Sequence, residues 1–508
     1  MKIKYISLAM LATVFATSCS NEEVLETNAD PIGEAIDFRP SVASPTRAAV
    51  TMLNNLGDFN VYAKGIHVKS GSLFTPFLIG DNSTRKPGIA HREAIGDDSG
   101  KWALENKVYW PSDIDKALFW AFTDLKSGES VHENSGLCVN GVVKFDDYLG
   151  PSIENYTPTK EDLTKVVNND QGWYDGDNQR DLVSAFKQQT KNPHVSLDFH
   201  HLLSQIEITA ESKRLSDDKN NSRKVTIKGA WVVNLAPYGT LASGFKYDDK
   251  TQNAYDAPNW TPVKEPTNLL QSYGTYYVQD REVPVIVPSS TDKESAPLNA
   301  LGRSGRGNLM LIPQTMESWD GTSPTTDGTY LLLLCRVELQ HTGTVSVEPG
   351  EPIYQPNDGT GYHYHQIFPV IDKYDQTAYG LTAIPIPVKW EIGKKYTYKL
   401  NMCGENTGAG KYPPNVPTDE ETLKNYLKKF IPGTAGTDYE INKTAEESEP
   451  NKANIITKIP TDKKVGDYVL SDPIDFTVTV SDWADGGTWT NGSDNEASES
   501  KTNAASEE

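Results

Sequence analysis

The residue best placed for covalent chemistry is Cys19, whose thiol follows an export signal. Lys2 and Lys4 precede a short apolar run from Ile6 to Ala16, and small residues come directly before the cysteine. A basic start, an apolar run of about 7–15 residues and a small-residue cut site define a secretory signal. The run is too short to span a bilayer, which takes about 20 apolar residues. We predict a lipoprotein signal peptide over residues 1–18, then acylation of Cys19, as by palmitate, which tethers the chain to a membrane.

A second reactive position is the peptide bond after Arg47, in a loop of small residues that a trypsin-like protease could enter. Shortly before it, Ile36, Phe38 and Val42 fall on one face of an extended strand. A cut at Arg47 would separate this strand from everything that follows. Residues 19–47 are therefore predicted to be a lipidated leader that carries an apolar strand and a protease site.

Other groups capable of chemistry lack the partners that they need. His363 and His365 share a strand face, but a metal site needs a third ligand and a supporting shell, and the sequence marks neither. We expect both histidines to be surface polar residues. The glycine- and arginine-rich run 302–307 has no Lys-Ser/Thr end, so it is read as an exposed loop or a second protease site rather than a phosphate loop.

No G-x-S-x-G or H-E-x-x-H motif occurs in the chain. We predict no enzyme activity, no catalytic residue, no cofactor and no metal. The formal net charge of −21 argues against binding to nucleic acid and against electrostatic binding to anionic membranes. If Cys19 is acylated, three cysteines remain, so we expect buried single thiols and no disulfide framework, leaving open whether Cys335 and Cys403 pair.

The sequence predicts a β-rich fold around the residues named above. Short alternating runs separated by turn residues predict an all-β protein of two β-sandwich domains. Two largely apolar runs, 117–122 and 330–337, predict strands buried on both faces. We place an N-terminal domain at 48–192, a C-terminal domain at 193–483 and a disordered acidic tail at 484–508.

One short helix interrupts the second domain. Thr418 and Glu421 form a capping box, and an apolar stripe follows at helical spacing, formed by Leu423, Tyr426, Leu427 and Phe430. Such a stripe either packs on the sandwich, which is the default, or binds a partner.

The segment from Phe199 to Ile206 resembles the F-x-H-A-L-S-x-I strand of the fimbrillin family in Bacteroides-type bacteria, with Leu202 where that family usually has alanine. Further segments resemble family motifs in the expected order, namely Val108–Pro111, Asp181–Val183, Leu311–Gln314, Trp390 with Gly393–Tyr398, and Phe476–Trp483. The resemblance covers the chain from the leader to Trp483.

That resemblance implies two transthyretin-like Greek-key sandwiches and a role as a type V pilus subunit in cell adhesion. It implies lipidation at Cys19, export to the outer membrane surface, and cleavage after Arg47 by an arginine-specific protease. The first strand then leaves, and a neighbouring pilin supplies a replacement. The implied partners are other pilin subunits, the outer membrane before processing, the protease, and a ligand on a host or bacterial surface.

The last apolar strand allows two interpretations. Its alternating residues repeat the pattern of the first strand, including Ile-Asp-Phe, and they are Ile474, Phe476, Val478 and Val480. They form either the last core strand of the second domain or a strand donated to a neighbour. Because no further apolar strand follows Trp483, a tip or accessory subunit fits better than a stalk subunit.

The alternative function is a surface lipoprotein that binds glycan or host protein without polymerising. Its candidate contacts are exposed aromatic side chains at Trp173, Tyr174, Trp260 and Trp319. The presence of the leader in the mature protein distinguishes the two hypotheses. A surface lipoprotein that does not polymerise keeps residues 20–47, whereas a polymerising pilin loses them.

Overall fold

The protein is described here by a computed structural model. The structure describes residues 33–42, 56–67, 70–71, 76–93, 100–125, 131, 137–146, 150–158, 180–212, 221–244, 257–265, 267–277, 285–286, 296–297, 309–343, 345–348, 351–357, 359, 361–404 and 406–483. These residues are nearly all in strands and turns, which confirms the predicted all-β class.

Within the described residues, the strands follow one another with one α-helix near the end. The first nine are β1 (Asp37–Val42), β2 (Phe59–His67), β3 (Gly88–Glu93), β4 (Lys101–Leu104), β5 (Ile114–Thr123), β6 (Val142–Asp146), β7 (Gly150–Tyr156), β8 (Val183–Thr190) and β9 (His194–His201). The next nine are β10 (Ser204–Glu211), β11 (Asn221–Leu235), β12 (Gly239–Ala242), β13 (Asn259–Pro262), β14 (Gln271–Tyr276), β15 (Val285–Ile286), β16 (Ala296–Pro297), β17 (Leu309–Leu311) and β18 (Thr315–Met316). The remaining elements are β19 (Tyr330–Thr342), β20 (Ile353–Tyr354), β21 (Tyr362–Phe368), β22 (Ala378–Pro385), β23 (Val388–Lys389), β24 (Lys394–Asn401), α1 (Glu420–Leu427), β25 (Tyr439–Ile441), β26 (Ala453–Ile456) and β27 (Asp475–Asp482).

Seven strands between Asp37 and His201 close into a barrel in the order β1–β4–β3–β2–β5–β8–β9. This barrel and the sheet packed on it are called the first module. Large and small side chains share its interior, where Ala63, Ala117 and Ala121 leave room for Phe59 and Phe119. Alternation of large and small residues is how the tapered interior of a small barrel is filled.

Strand β5 separates two cores, because both of its faces are apolar. Phe119 and its alternate neighbours point into the barrel, whereas Leu118, Trp120 and Phe122 belong to a second cluster outside it. A four-stranded sheet, ordered β13–β12–β7–β6, contributes Ile153 and Trp260 to that outer cluster. The prediction that this strand is buried on both faces is confirmed.

The second module is built from two sheets that share one core. A five-stranded sheet runs β16–β10–β24–β27 with β17 beside β10, and a nine-stranded sheet is centred on β11 and β19. Strand β19 is buried on both faces as predicted: Leu331 and Leu333 enter the core between the sheets, while Leu332 and Leu334 face the cluster under α1.

Helix α1 covers the outer face of the nine-stranded sheet. Leu423 and Leu427 are buried, so the apolar stripe packs on the protein's own core, as the default interpretation predicted. The cap was predicted one residue too early: Asp419, not Thr418, is the N-cap, and its carboxylate accepts the backbone N–H of Thr422 at 2.9 Å. Among the described helices, none is long and apolar enough to cross a membrane.

The boundary predicted at residue 192 divides strands that are hydrogen-bonded to each other. Strand β9, expected to open the second domain, pairs with β8 and β1 in the barrel. Strand β12 pairs with β7 across the same boundary. The cysteines within the described ranges, Cys138, Cys335 and Cys403, are free and buried, and burial raises the pKa of the Cys403 thiol to about 12.

Replacement of Gly274 by alanine should weaken the pairing of β14 with β11. A Cβ atom at this position would lie 2.0 Å from the carbonyl oxygen of Ala230, which is backbone and cannot swing aside. Forced overpacking of this kind typically costs about 1–3 kcal/mol. Denaturant unfolding should show that loss of stability for Gly274→Ala, whereas Gly33→Ala, with no heavy atom within 4 Å of its Cβ, should leave stability unchanged.

Candidate functional site

The first strand closes the barrel by lying between two strands of opposite direction. β1 is parallel to β9 over six residue pairs, from Asp37 opposite His194 to Val42 opposite Phe199. It is antiparallel to β4 over only two pairs, of which Phe38 opposite Trp102 is one. If β1 were absent, β4 and β9 would each be left as an unpaired edge, and such edges are templates for another chain.

The inward face of β1 supplies part of the barrel core. Ile36 and Phe38 are fully or almost fully buried, and Val42 packs partly exposed at the rim. The Phe38 ring meets Phe59 and Phe119 edge-on, at centroid distances of 5.6 and 6.3 Å. Burying two such side chains is worth about 3–6 kcal/mol, so β1 contributes directly to the stability of the barrel.

The outward face of β1 carries a buried carboxylate at Asp37. Its side chain lies 3.1 Å from Nδ1 of His194, 3.5 Å from Nζ of Lys101 and 3.4 Å from Nε of Arg39. Arg39 lies on β1 itself, whereas Lys101 and His194 lie on the two strands that flank it. A buried charge that loses its partners costs several kcal/mol, so Asp37 fixes the register of β1 between β4 and β9.

Asp37 and His194 also lie close to Glu34, and their ligand atoms fall within 4.8 Å of one another, the spacing of a metal site. Lys101 and Arg39 already supply positive charge to the same carboxylate. A second cation would be repelled there, so this group is an ion-pair cluster that holds β1 in place.

Strand β27 is an edge strand of the five-stranded sheet. It pairs with β24 along its whole length, and its other side has no partner among the described strands. Ile474, Phe476 and Val478 are half-buried against the core between the sheets, whereas Val480 is 43% exposed. The strand is thus packed on its own module but less deeply than β1 is in the barrel.

The end of β27 is attached at the junction of the two modules. The Trp483 indole is buried and stacks on the imidazole of His201, with ring centroids 4.6 Å apart. His201 in turn contacts the Asp181 carboxylate at 2.9 Å. His201 is therefore a buried histidine with a carboxylate partner.

Two aromatic residues expected on the surface are buried instead. Trp260 is 7% exposed and donates its indole N–H to the carbonyl oxygen of Leu202 at 2.7 Å. Trp319 is 2% exposed and donates to Ser323 at 3.0 Å. Neither ring is open for stacking on a sugar, so this part of the prediction was wrong. Trp173 and Tyr174, like Cys19, Arg47, the run 302–307 and the tail from 484, lie outside the described residues.

The histidines of β21 acquire a neighbour that the sequence does not mark. His341, near the end of β19, stands opposite His363. His363 is 6% exposed, so the expectation of a surface residue was wrong for it. The pKa of His365 is lowered, first by burial and then by the His341 and His363 imidazoles.

Comparison with known protein families finds no match, and comparison with curated proteins finds none. Among solved structures, the chain is similar to a fimbrial protein from Bacteroides vulgatus, at 15% identity and a TM-score of 0.41, over 73% of this chain and 96% of that one. It is also similar to a putative cell adhesion protein from Parabacteroides distasonis, at 8% identity and a TM-score of 0.32, over 89% and 96%. A fimbrial assembly protein from Parabacteroides distasonis matches at 10% identity and a TM-score of 0.27, over 72% and 91%.

Truncation of Phe38 should destabilise the barrel strongly. Phe38→Ala removes a fully buried ring and leaves a cavity between Phe59 and Phe119, which typically costs about 3–5 kcal/mol. Val42→Ala, on the same face but at the half-exposed rim, is the matched control and should cost less. If Phe38→Ala unfolds in denaturant with the same free energy as the natural chain, the Phe38 ring does not stabilise the barrel.

Proposed function

We propose that this chain is a structural subunit of a surface fimbria, of tip or accessory type, assembled by strand exchange after export as a lipoprotein. The observation that carries the proposal is the position of β1. It is the first described strand, it fills the barrel core with Ile36 and Phe38, and residues 43–55, which include Arg47, connect it to the rest of the chain.

Cleavage after Arg47 turns β1 from a covalent part of the barrel into a bound peptide. Before the cut, the connection keeps the strand at a high effective concentration next to its groove, and the cut removes that advantage. The peptide is then held only by its apolar side chains, its ion pairs and its backbone hydrogen bonds. A strand from a neighbouring subunit can compete for the same groove, by the strand addition that sheet edges permit.

The groove specifies the strand that can replace β1. Two apolar side chains must enter the barrel at the positions of Ile36 and Phe38. A carboxylate between them must meet Lys101 and His194, which remain behind when Asp37 leaves. A neutral or basic residue there would remove the carboxylate that both bases contact, and Lys101 would keep only Glu93, at 3.4 Å.

Strand β27 contains a matching triplet, Ile474-Asp475-Phe476, but we propose that it stays in its own module. Three of its apolar residues pack on that module's core, and Trp483 is stacked at the junction. The subunit then accepts a strand and donates none from β27. The competing proposal is that the strand of Ile474, Phe476, Val478 and Val480 is donated to a neighbouring subunit.

The remaining parts of the proposal follow the order of processing. Acylation at Cys19 anchors the precursor to the outer membrane, an arginine-specific protease cuts at Arg47, and other pilin subunits are the partners at the cell surface. Both modules are proposed to be of transthyretin-like, Greek-key type, the first one closed by β1. Adhesion to a host or bacterial surface ligand is the proposed purpose of the fibre.

N-terminal sequencing of the mature surface protein tests the processing step. We expect a start at Ala48 for the natural chain, and an uncut form for Arg47→Lys because an arginine-specific protease does not accept lysine. Arg39→Lys is the matched control, since Arg39 lies within a paired strand, and this variant should be cut normally. A mature start at acylated Cys19 would instead favour the non-polymerising lipoprotein that binds glycan or host protein.

Peptide binding to the cut chain tests the groove. After cleavage and removal of the leader, a peptide of residues 33–43 should bind, whereas the uncut chain should not bind it. Asp37→Asn in the peptide, or Lys101→Gln in the chain, should weaken binding by about tenfold or more, because a charged hydrogen-bonded pair is worth roughly 1.5–3 kcal/mol. Lys107→Gln, an exposed lysine beyond the same strand, is the control and should have no effect. Binding that ignores Asp37 and Lys101 would contradict the proposed groove.

A further inference from the structure

Three imidazoles converge at one end of the large sheet. His363 and His365 lie two residues apart on β21, and His341 lies directly opposite His363 on β19. The ring centroids are 5.2 Å apart for His341 and His363, 4.9 Å for His341 and His365, and 5.0 Å for His363 and His365. The three rings therefore form a nearly equilateral triangle on one face of two neighbouring strands.

This separation is the one that a tetrahedral metal ion requires. Zinc is bound by histidine nitrogens at about 2.1 Å, and with tetrahedral angles the centres of three such rings lie roughly 5 Å apart. Rotation about χ2, which has broad wells for histidine, re-aims the nitrogens and leaves each ring centre in place. The strand pairing has thus already brought the rings to the required separation.

One of the rings is held as a metal ligand usually is. Nδ1 of His363 lies 2.8 Å from the carbonyl oxygen of Gly343. Donation of the Nδ1–H to that oxygen leaves the lone pair on Nε2 for an ion. Metal-binding histidines almost always donate their other N–H to a carbonyl or carboxylate, which fixes the tautomer and orients the ring.

One acidic side chain acts on this cluster. The groups that act on His365 are the other two imidazoles and the carboxylate of Glu351. The cluster at Asp37 differs, since Lys101 and Arg39 occupy it already. Glu351 supplies negative charge near His365.

We propose that His341, His363 and His365 bind one divalent transition-metal ion of the type that prefers imidazole, such as Zn²⁺. Three nitrogen ligands select zinc, nickel or copper over magnesium and calcium, which prefer oxygen. The bound ion would link β21 to the end of β19. This end lies beyond residues 330–335 of β19, which pair with β22. It is a structural site, independent of the proposed strand exchange.

Calorimetric titration with Zn²⁺ tests this site, with the full chain purified without a polyhistidine tag and first treated with a chelator. We expect saturable binding of one ion per chain. His341→Gln and His365→Gln, both at partly exposed positions, should each weaken binding by at least about tenfold. His91→Gln is the matched control, because His91 is another strand histidine beside a carboxylate, at 2.8 Å from Asp58, and it should bind zinc as the natural chain does.

Thermal unfolding separates a loss of zinc binding from a loss of folding in the variants. Thermal unfolding should show a zinc-dependent rise in Tm for the natural chain and for His91→Gln, and no rise for the variant lacking all three cluster histidines. Without zinc, His341→Gln and His365→Gln should unfold at the same temperature as the natural chain. The proposal is overturned if zinc does not bind saturably, if the triple variant still binds it, or if His91→Gln weakens binding as much as the cluster variants.

Discussion

The contact of Phe38 with Phe59 and Phe119 is the interaction on which the first module depends. It places a side chain of β1 in the centre of a core to which β2, β3, β4, β5, β8 and β9 also contribute. The backbone of the same strand closes the ring of hydrogen bonds. Core filling and barrel closure therefore reside in one short segment, which is connected to the remainder of the module on only one side.

The buried carboxylate next to Phe38 makes that segment specific as well as stabilising. Apolar side chains alone would allow β1 to slip by two residues, because the same face would still point inward. Such a slip would move Asp37 away from Lys101 and His194, its partners on the flanking strands, and leave the buried carboxylate with Arg39 of its own strand. The alternation of apolar residues determines which face of β1 points into the barrel. The ion pairs determine its register between β4 and β9.

Much of the fold was predictable from local pattern. The uninterrupted runs in β5 and β19 indicated burial on both faces, and the stripe Leu423–Phe430 indicated a helix packed on a core. Pairing between distant strands was not predictable, because alternation says which face is apolar but not which strand lies beside it. For that reason the division at residue 192 missed the place of β9, and His341 could not be connected with His363. Trp260 and Trp319 were misjudged for the same reason, since their burial depends on segments far away in the chain.

The direction of β1 has a consequence for any larger assembly. Six of its residues run alongside β9 in the same sense, and only two oppose β4. A replacement strand that uses these hydrogen bonds has to enter with its amino end beside His194 and its carboxyl end beside Phe199. Under the proposed strand exchange, every donor that this chain accepts therefore has to approach the barrel from the same side. The joint between the two subunits would then be polar, with the groove of the acceptor on one side and the donating chain on the other.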